Sequence, residues 1–102
     1  MKNFRTYQLA RQLYQDCQSL SLRGPAKDQF ERAMLSVVLN LAEGSAKPTG
    51  RDRKKFYSIA LGSLREVQVI LEMINAAQAK QADTLGGSLY KLIQNPGANR
   101  WP

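Results

Sequence analysis

Apolar residues recur at three- and four-residue spacing along most of the chain, as they do in amphipathic α-helices. Breaks rich in glycine, proline and polar residues divide the pattern into segments at about residues 3–22, 25–45, 49–79 and 81–95. Strand-like alternation is missing from the sequence. The pattern therefore predicts an all-α, antiparallel up-down-up-down four-helix bundle over residues 1–95, with residues 96–102 as a C-terminal tail.

The breaks contain residues that commonly end and begin helices. Pro25 suits the first turn of the second helix, where its missing N–H would have no partner. Gly44 and Pro48 end that helix, and Thr49 with Asp52 resembles a capping box that opens the third. Two adjacent glycines at residues 86–87 cost about 1 kcal/mol each relative to alanine, so we expect the fourth helix to be the least stable.

The second segment is unusually apolar, because its middle, AMLSVVLNLA at residues 33–42, offers apolar side chains on nearly every side of a helix. A monomeric small bundle leaves one face of each helix in water, so this segment indicates that a second chain covers it. The third segment is expected to turn one apolar stripe to the core: Phe56, Ile59, Ala60, Ser63, Val67, Ile70, Leu71 and Ile74.

Polar residues inside these apolar helices also form stripes. Ser36, Asn40 and Glu43 share one side of the second helix, and Ser63 and Glu66 lie one turn apart on the third. Because an unpaired buried polar group costs about 1 to 3 kcal/mol, we expect these groups to pair and to fix helix register or a subunit contact rather than bind a ligand. Gly62 is expected to allow close approach of a neighbouring helix or chain.

Positive charge is concentrated around the third helix start. The chain carries fifteen Lys and Arg against eight Asp and Glu, a formal charge of +7. In an up-down bundle the second loop, the start of the first helix and the end of the last helix share one end. Cations at a helix start oppose its dipole unless an anion compensates, so the cluster predicts a bound nucleic acid. The predicted contacts are Lys47, Arg51, Arg53, Lys54, Lys55, Lys2, Arg5 and Arg100, with a merely solubilising face as the alternative.

The composition argues against catalysis. The chain has no histidine and a single cysteine, Cys17, so the usual general base, the Cys-His pair and the common zinc sites are missing. We therefore expect no enzyme activity, no metal and no cofactor. The lone cysteine, the absence of a membrane-spanning apolar run and the lack of a signal-like N-terminus predict a cytoplasmic protein with no membrane contact.

The central stretch DQFERAMLSVVLNLAEGSAKPTGRDRKKFYSIALGSLREVQVILEM, residues 28–73, resembles a known family. The resemblance is to the bacterial four-helix bundle proteins encoded by intervening sequences of large-subunit ribosomal RNA genes, with which the accessory proteins of diversity-generating retroelements are grouped. Its motifs are N-x-A-E-G and A-x-G-S-x-x-E on either side of a basic loop. The positions that carry it include Gln29, Arg32, Ser36, Asn40, Glu43, Gly44, Gly62, Ser63 and Glu66.

The resemblance implies a left-handed bundle that assembles into a ring-like homopentamer. It makes the positions just named candidates for the bundle core or the subunit contact. In the retroelement branch it further implies a basic surface that binds nucleic acid and a reverse transcriptase partner. We therefore expect a non-enzymatic oligomer that binds RNA or DNA. The alternative is a protein-interaction scaffold without physiological nucleic-acid binding.

Overall fold

The computed structural model of the chain describes residues 4–97, which form four helices and no strand. The helices are α1 (Arg5–Asp16), α2 (Gly24–Ser45), α3 (Gly50–Met73) and α4 (Ala79–Gln94). Helix α1 packs on α2 and α4, and helix α3 packs on the same two helices. The four helices therefore form a closed cycle around one core. The predicted all-α four-helix fold is confirmed for this part of the chain, whereas its up-down order and left-handed twist stay predictions.

The core is built from side chains of all four helices. Aliphatic side chains are its most numerous members, and Leu13, Leu41, Leu64, Leu71, Leu85 and Leu89 are fully buried. The α2–α3 pair has the most extensive packing, and α1 has the least. Within residues 4–97 none of the helices is both long and apolar enough to span a membrane.

Helix α1 is shorter than the predicted segment, which continued to residue 22. The helix ends at Asp16, and the main-chain N–H of Leu20 closes a turn on the carbonyl of Cys17 at 3.1 Å. Leu20 and Leu22 pack against the core from the loop, so the apolar spacing continues after the helical backbone has stopped. The two serines in this stretch favour the turn, because serine hydroxyls compete for main-chain hydrogen bonds.

Helix α3 ends at Met73 rather than near residue 79, because Asn75 adopts the left-handed region with φ of 56°. The N–H of Ala76 donates to the carbonyl of Leu71 at 2.9 Å, and that of Asn75 donates to Glu72 at 3.1 Å. This pair of bonds is the Schellman motif, in which asparagine can replace the usual glycine.

The core-facing side of α3 is rotated relative to the predicted stripe. Tyr57 and Leu64, absent from the predicted stripe, are buried, whereas Ile59 and Ile74 are exposed. Both sides of α3 carry apolar residues at helical spacing, so the pattern alone did not distinguish the side facing the core from the side next to α2. An apolar edge of α3 is consequently left at the surface.

Candidate nucleic-acid interface

Three parts of the chain meet at one end of the bundle. The ring of Phe4, just before α1, lies 6.2 Å from the ring of Tyr57 near the start of α3. The Nε of Arg53 donates to the carbonyl of Pro96, just after α4, at 2.8 Å. The start of α1, the α2–α3 loop and the end of α4 are therefore neighbours, as the sequence predicted. Residues 4–8, 40–57 and 88–97 are called the basic end below.

The excess positive charge of the described chain is confined to this end. The basic end holds seven Lys or Arg and two Asp or Glu. Residues 9–39 and 58–87 together hold six basic and six acidic residues. The rest of the described chain is therefore electrically balanced, and the uncompensated cations concentrate where the three segments meet. A field of one sign on one surface attracts polyanions and raises their rate of association.

The α2–α3 loop is held by a helix cap. Thr49 is the N-cap of α3, and its Oγ1 accepts a hydrogen bond from the N–H of Asp52 at 3.2 Å. This confirms the predicted helix start at Thr49 and Asp52, whose carboxylate lies in the first turn, where the helix dipole favours negative charge.

The side chains of Arg51, Lys54 and Lys55 are exposed and make no ion pair or hydrogen bond within residues 4–97. Lys47 is half-buried, and its Nζ lies 3.3 Å from Glu43 Oε1 and 5.1 Å from the centre of the Phe56 ring. Lys47 is therefore partly neutralised, and the free charge of the loop resides on the other three residues.

Arg53 departs from the predicted role. Its side chain is only 6% exposed. The Nε bonds the carbonyl of Pro96 and one terminal nitrogen bonds the carbonyl of Lys47, at 2.8 and 2.9 Å. The guanidinium thus joins the α2–α3 loop to the end of α4, where two carbonyl dipoles compensate its charge. We therefore remove Arg53 from the set of phosphate contacts.

The other predicted contacts differ in what the structure describes. Arg5 is exposed at the start of α1, and the contacts of Phe4 place it at the basic end. Lys2 and Arg100 lie outside the described residues. Lys91, in the last turn of α4, is an exposed cation that the sequence reasoning missed. Its position near the end of the fourth predicted helix, together with the predicted topology, was the signal that would have found it.

The polar stripes of α2 and α3 meet at the interface between these helices. The hydroxyls of Ser36 and Ser63 are 2.7 Å apart, and Asn40 Nδ2 donates to the carbonyl of Ser36 at 2.8 Å. Nearer the other end, Gln29 Nε2 donates to Glu66 Oε2. These bonds agree with the expected pairing, whereas the register-setting role stays a prediction. Ser36, Asn40 and Ser63 are half-buried.

Gly44 has a clear steric role between α2 and α3. A Cβ at this position would lie 2.9 Å from Phe56 Cβ and 2.9 Å from Tyr57 Cε1, so only glycine permits this approach. Gly62, by contrast, has no atom within 4 Å of an added Cβ, so the expected close approach does not occur inside the chain. Arg32 and Glu43 are likewise exposed on α2 rather than in the core.

Two buried titratable groups lie outside the predicted sites. Burial, reinforced by the Asp16 carboxylate, raises the pKa of the Cys17 thiol to about 11. Burial also raises the pKa of Tyr57, and the positive charge of nearby Arg53 partly offsets this rise. Within residues 4–97 the Tyr57 hydroxyl has no hydrogen-bond partner. No cluster of three or more Cys, Asp or Glu side chains suited to a metal ion occurs in this part of the chain.

Comparison with known families agrees with the resemblance drawn from the motifs. A family model described as 23S rRNA-intervening sequence protein matches residues 2–95, which include all four helices and the basic loop. The chain belongs to the 23S rRNA-intervening sequence protein family. No curated protein and no solved structure matches the chain significantly. This match does not confirm the resemblance to the retroelement accessory proteins, so that branch stays a proposal.

Proposed function

We propose that this protein is a non-enzymatic, cytoplasmic, oligomeric bundle that binds RNA or DNA through phosphates at its basic end. The observation that carries the proposal is the confinement of the excess positive charge to the end where the α2–α3 loop meets the start of α1 and the end of α4. Phosphate contacts by Lys and Arg release counterions, so a surface of this kind binds with little sequence preference and strong dependence on salt.

The main contacts in this proposal are Arg51, Lys54 and Lys55, because their charges have no partner in the described chain. Arg5 and Lys91 extend the surface on the α1 and α4 side, and Lys47 contributes with a charge shared with Glu43. Membership of a family named for an intervening sequence of 23S rRNA is compatible with RNA as the polyanion.

The test is binding of structured RNA over a range of salt concentrations. Changing Arg51, Lys54 and Lys55 together to alanine should weaken binding and reduce the slope of log K against log salt by about 0.7 to 0.9 for each phosphate contact removed. Changing Arg23, Lys27 and Arg65 to alanine is the matched control, because it removes the same charge from exposed positions outside the basic end. Equal effects of the two triple variants, or no binding at low salt, would contradict the proposal.

Self-association is the second part of the proposal, and it rests on exposed apolar side chains of α2 and α3. Leu35 and Leu39 on α2 are 48% and 57% exposed, and Val69 and Met73 on α3 are 53% and 78% exposed. Gly62 lies on the same stripe of α3 as Val69 and Met73, where an absent side chain would allow another subunit to approach. A second copy of this chain is the proposed occupant, and a pentamer is the proposed assembly.

Light scattering at micromolar concentration tests this part. Val69→Asp with Met73→Asp should reduce the mass to that of one chain, whereas Tyr90→Asp, at an apolar side chain 54% exposed on α4, should leave it unchanged. A wild-type mass of a single chain would contradict the proposed assembly.

The same apolar surface favours a second candidate function, a scaffold that binds another protein, including a reverse transcriptase, without physiological nucleic-acid binding. This function would be supported if a purified candidate partner remained bound after nuclease treatment and after the triple alanine change at the basic end. Release by either treatment would favour nucleic acid as the link between them.

A further inference from the structure

A groove runs between α1 and α4 on the side of the bundle away from the α2–α3 interface. It encloses about 410 Å³ and is lined by Arg5, Leu9, Thr84, Gly87, Ser88 and Lys91. Its lining has two cations, two hydroxyls and no acidic side chain, and the Thr84 hydroxyl already donates to the main-chain carbonyl of Lys80 at 3.2 Å. This combination of donors suits an anion with several oxygen atoms.

The groove lies at one end of the contact between α1 and α4, where the charged residues are basic. An acidic residue lies at the other end of this contact. At that other end, Asp16 accepts hydrogen bonds from Gln12 at 2.9 Å and from Gln81 at 2.8 Å, and its main-chain carbonyl accepts one from Gln78. The Asp16 carboxylate is thus bound by side-chain amides. Arg5 and Lys91 make no ion pair in that range.

One hydroxyl of the groove retains a donor. Thr6 and Ser88 share a hydrogen bond of 2.6 Å, and Thr6 is buried whereas Ser88 reaches the groove. Each hydroxyl carries one proton, and their mutual bond uses only one of the two. When Thr6 donates to Ser88, the Ser88 proton is free to donate to an oxygen in the groove.

Gly87 keeps the groove open. No atom lies within 4 Å of a Cβ added at this position, whereas a Cβ at the adjacent Gly86 would lie 3.8 Å from Leu64. The two glycines therefore face different surroundings: Gly86 faces α3, and Gly87 forms part of the groove wall. A glycine in a helix interior lowers the stability of the helix. Of these two glycines, only Gly87 leaves space that a ligand could occupy.

We propose that this groove binds a backbone phosphate of the nucleic acid, with Arg5, Lys91 and Ser88 as its ligands. The inference rests on the proposed function and adds a second contact region, on α1 and α4, to that of the α2–α3 loop. The three proposed ligands and the loop cations all belong to the basic end, so one strand can contact the loop cations and place a further phosphate in the groove.

The first test compares two double variants of equal charge. Arg5→Gln with Lys91→Gln should weaken binding of a hairpin RNA of about 20 nucleotides roughly tenfold, as expected for two exposed charge contacts, and should lower the salt slope by about one. Arg11→Gln with Lys80→Gln removes the same charge from exposed positions on the same two helices, outside the groove, and should have less than a twofold effect by comparison.

The second test fills the groove without removing charge. Gly87→Gln should weaken binding of the same RNA although it raises helix propensity, and thermal unfolding should show an unchanged or higher midpoint. Gly86→Ala makes a similar gain in propensity beside Leu64 and should leave RNA affinity unchanged. In NMR titrations, inorganic phosphate should shift the amide signals of Gly87 and Ser88 more than acetate does at equal ionic strength.

The outcomes separate this inference from the function on which it rests. If wild-type protein binds RNA and the loop triple variant weakens it, but the groove and control double variants bind equally, the groove assignment is wrong and the proposed function stands. Equal shifts with phosphate and acetate would also overturn it. If wild-type protein binds no RNA at low salt, both are overturned.

Discussion

Arg53 Nε donates a hydrogen bond to the main-chain oxygen of Pro96 across 43 residues of sequence, at 2.8 Å. Its terminal nitrogen bonds the carbonyl of Lys47, so one side chain joins two ends of helices to the first turn of a third. A cation that the sequence assigns to a ligand surface therefore holds that surface together. This relationship explains part of the positive charge at the start of α3, because carbonyl oxygens compensate it inside the chain.

Replacing Arg53 should destabilise the fold rather than only weaken nucleic-acid binding. Arg53→Met retains much of the aliphatic volume but removes both bonds, so we expect the free energy of unfolding to fall by about 2 to 4 kcal/mol. Urea denaturation measures this loss. Arg51→Met, at an exposed position of the same turn, should change stability by less than about 0.5 kcal/mol. Equal stability of the two variants would contradict the role given to Arg53.

Tyr57 should tolerate loss of its hydroxyl. The side chain is fully buried, and its hydroxyl has no partner within residues 4–97. Tyr57→Phe removes an unsatisfied polar atom while keeping the ring, so the free energy of unfolding should rise by about 1 kcal/mol. Tyr90→Phe, where the side chain is 54% exposed, is the control and should be close to neutral. A clear loss of stability in Tyr57→Phe would reveal a bond to the hydroxyl.

Two glycines on α2 and α3 should respond in opposite directions to alanine. Gly44→Ala places a methyl group 2.9 Å from Phe56 Cβ, which cannot move without its backbone, so we expect a loss of about 1 to 3 kcal/mol. Gly62→Ala meets no atom within 4 Å and should stabilise the isolated chain by about 1 kcal/mol. Thermal unfolding of both variants below the association concentration checks this. A similar loss in both would contradict the packing described for Gly44.

The Cys17 thiol should make stability decrease in alkali. Burial and the Asp16 carboxylate raise its folded-state pKa to about 11, whereas the unfolded thiol titrates near pH 8.5. Between these values the unfolded chain binds fewer protons, so the thiol's contribution to stability is intact below about pH 8.5 and falls as the pH rises toward 11. Urea midpoints at about pH 7 and pH 10 should therefore differ less in Cys17→Ala than in wild type. Equal differences would contradict the assignment.

The fold was predictable from the sequence because helix-period apolar spacing and Gly/Pro breaks coincide in this chain. The start of α3 at Thr49 also followed, as did the meeting of the polar stripes of α2 and α3 now seen at Ser36 and Ser63, since buried polar groups need partners. The ends of α1 and α3 did not follow. Apolar spacing continued through the loop at Leu20 and Leu22, and Asn75 ended α3 through a backbone conformation that apolar spacing does not report.

The candidate site was predictable in place but only partly in its residues. Sequence separation hides the neighbourhood of Arg53 and Pro96, and a charged residue in a basic run resembles a surface residue. Helical periodicity could have corrected this. Arg53 precedes buried Tyr57 and Ala60 by four and seven residues, so all three lie on the same side of α3. Lys91 was missed because it stands alone in its segment, and only packing of α4 on α1 brings it near Arg5.

The hydrogen bond between Thr6 and Ser88 joins the first helix to the last, so the helices form a closed cycle with no outer pair. A cycle of this kind does not require its chain to start at any particular helix. A circular permutant that links the two old ends with a short flexible segment and opens at residues 74–78 should fold to the same bundle. It would move both new ends to the pole opposite the cations, where a fused reporter would leave the nucleic-acid surface uncovered.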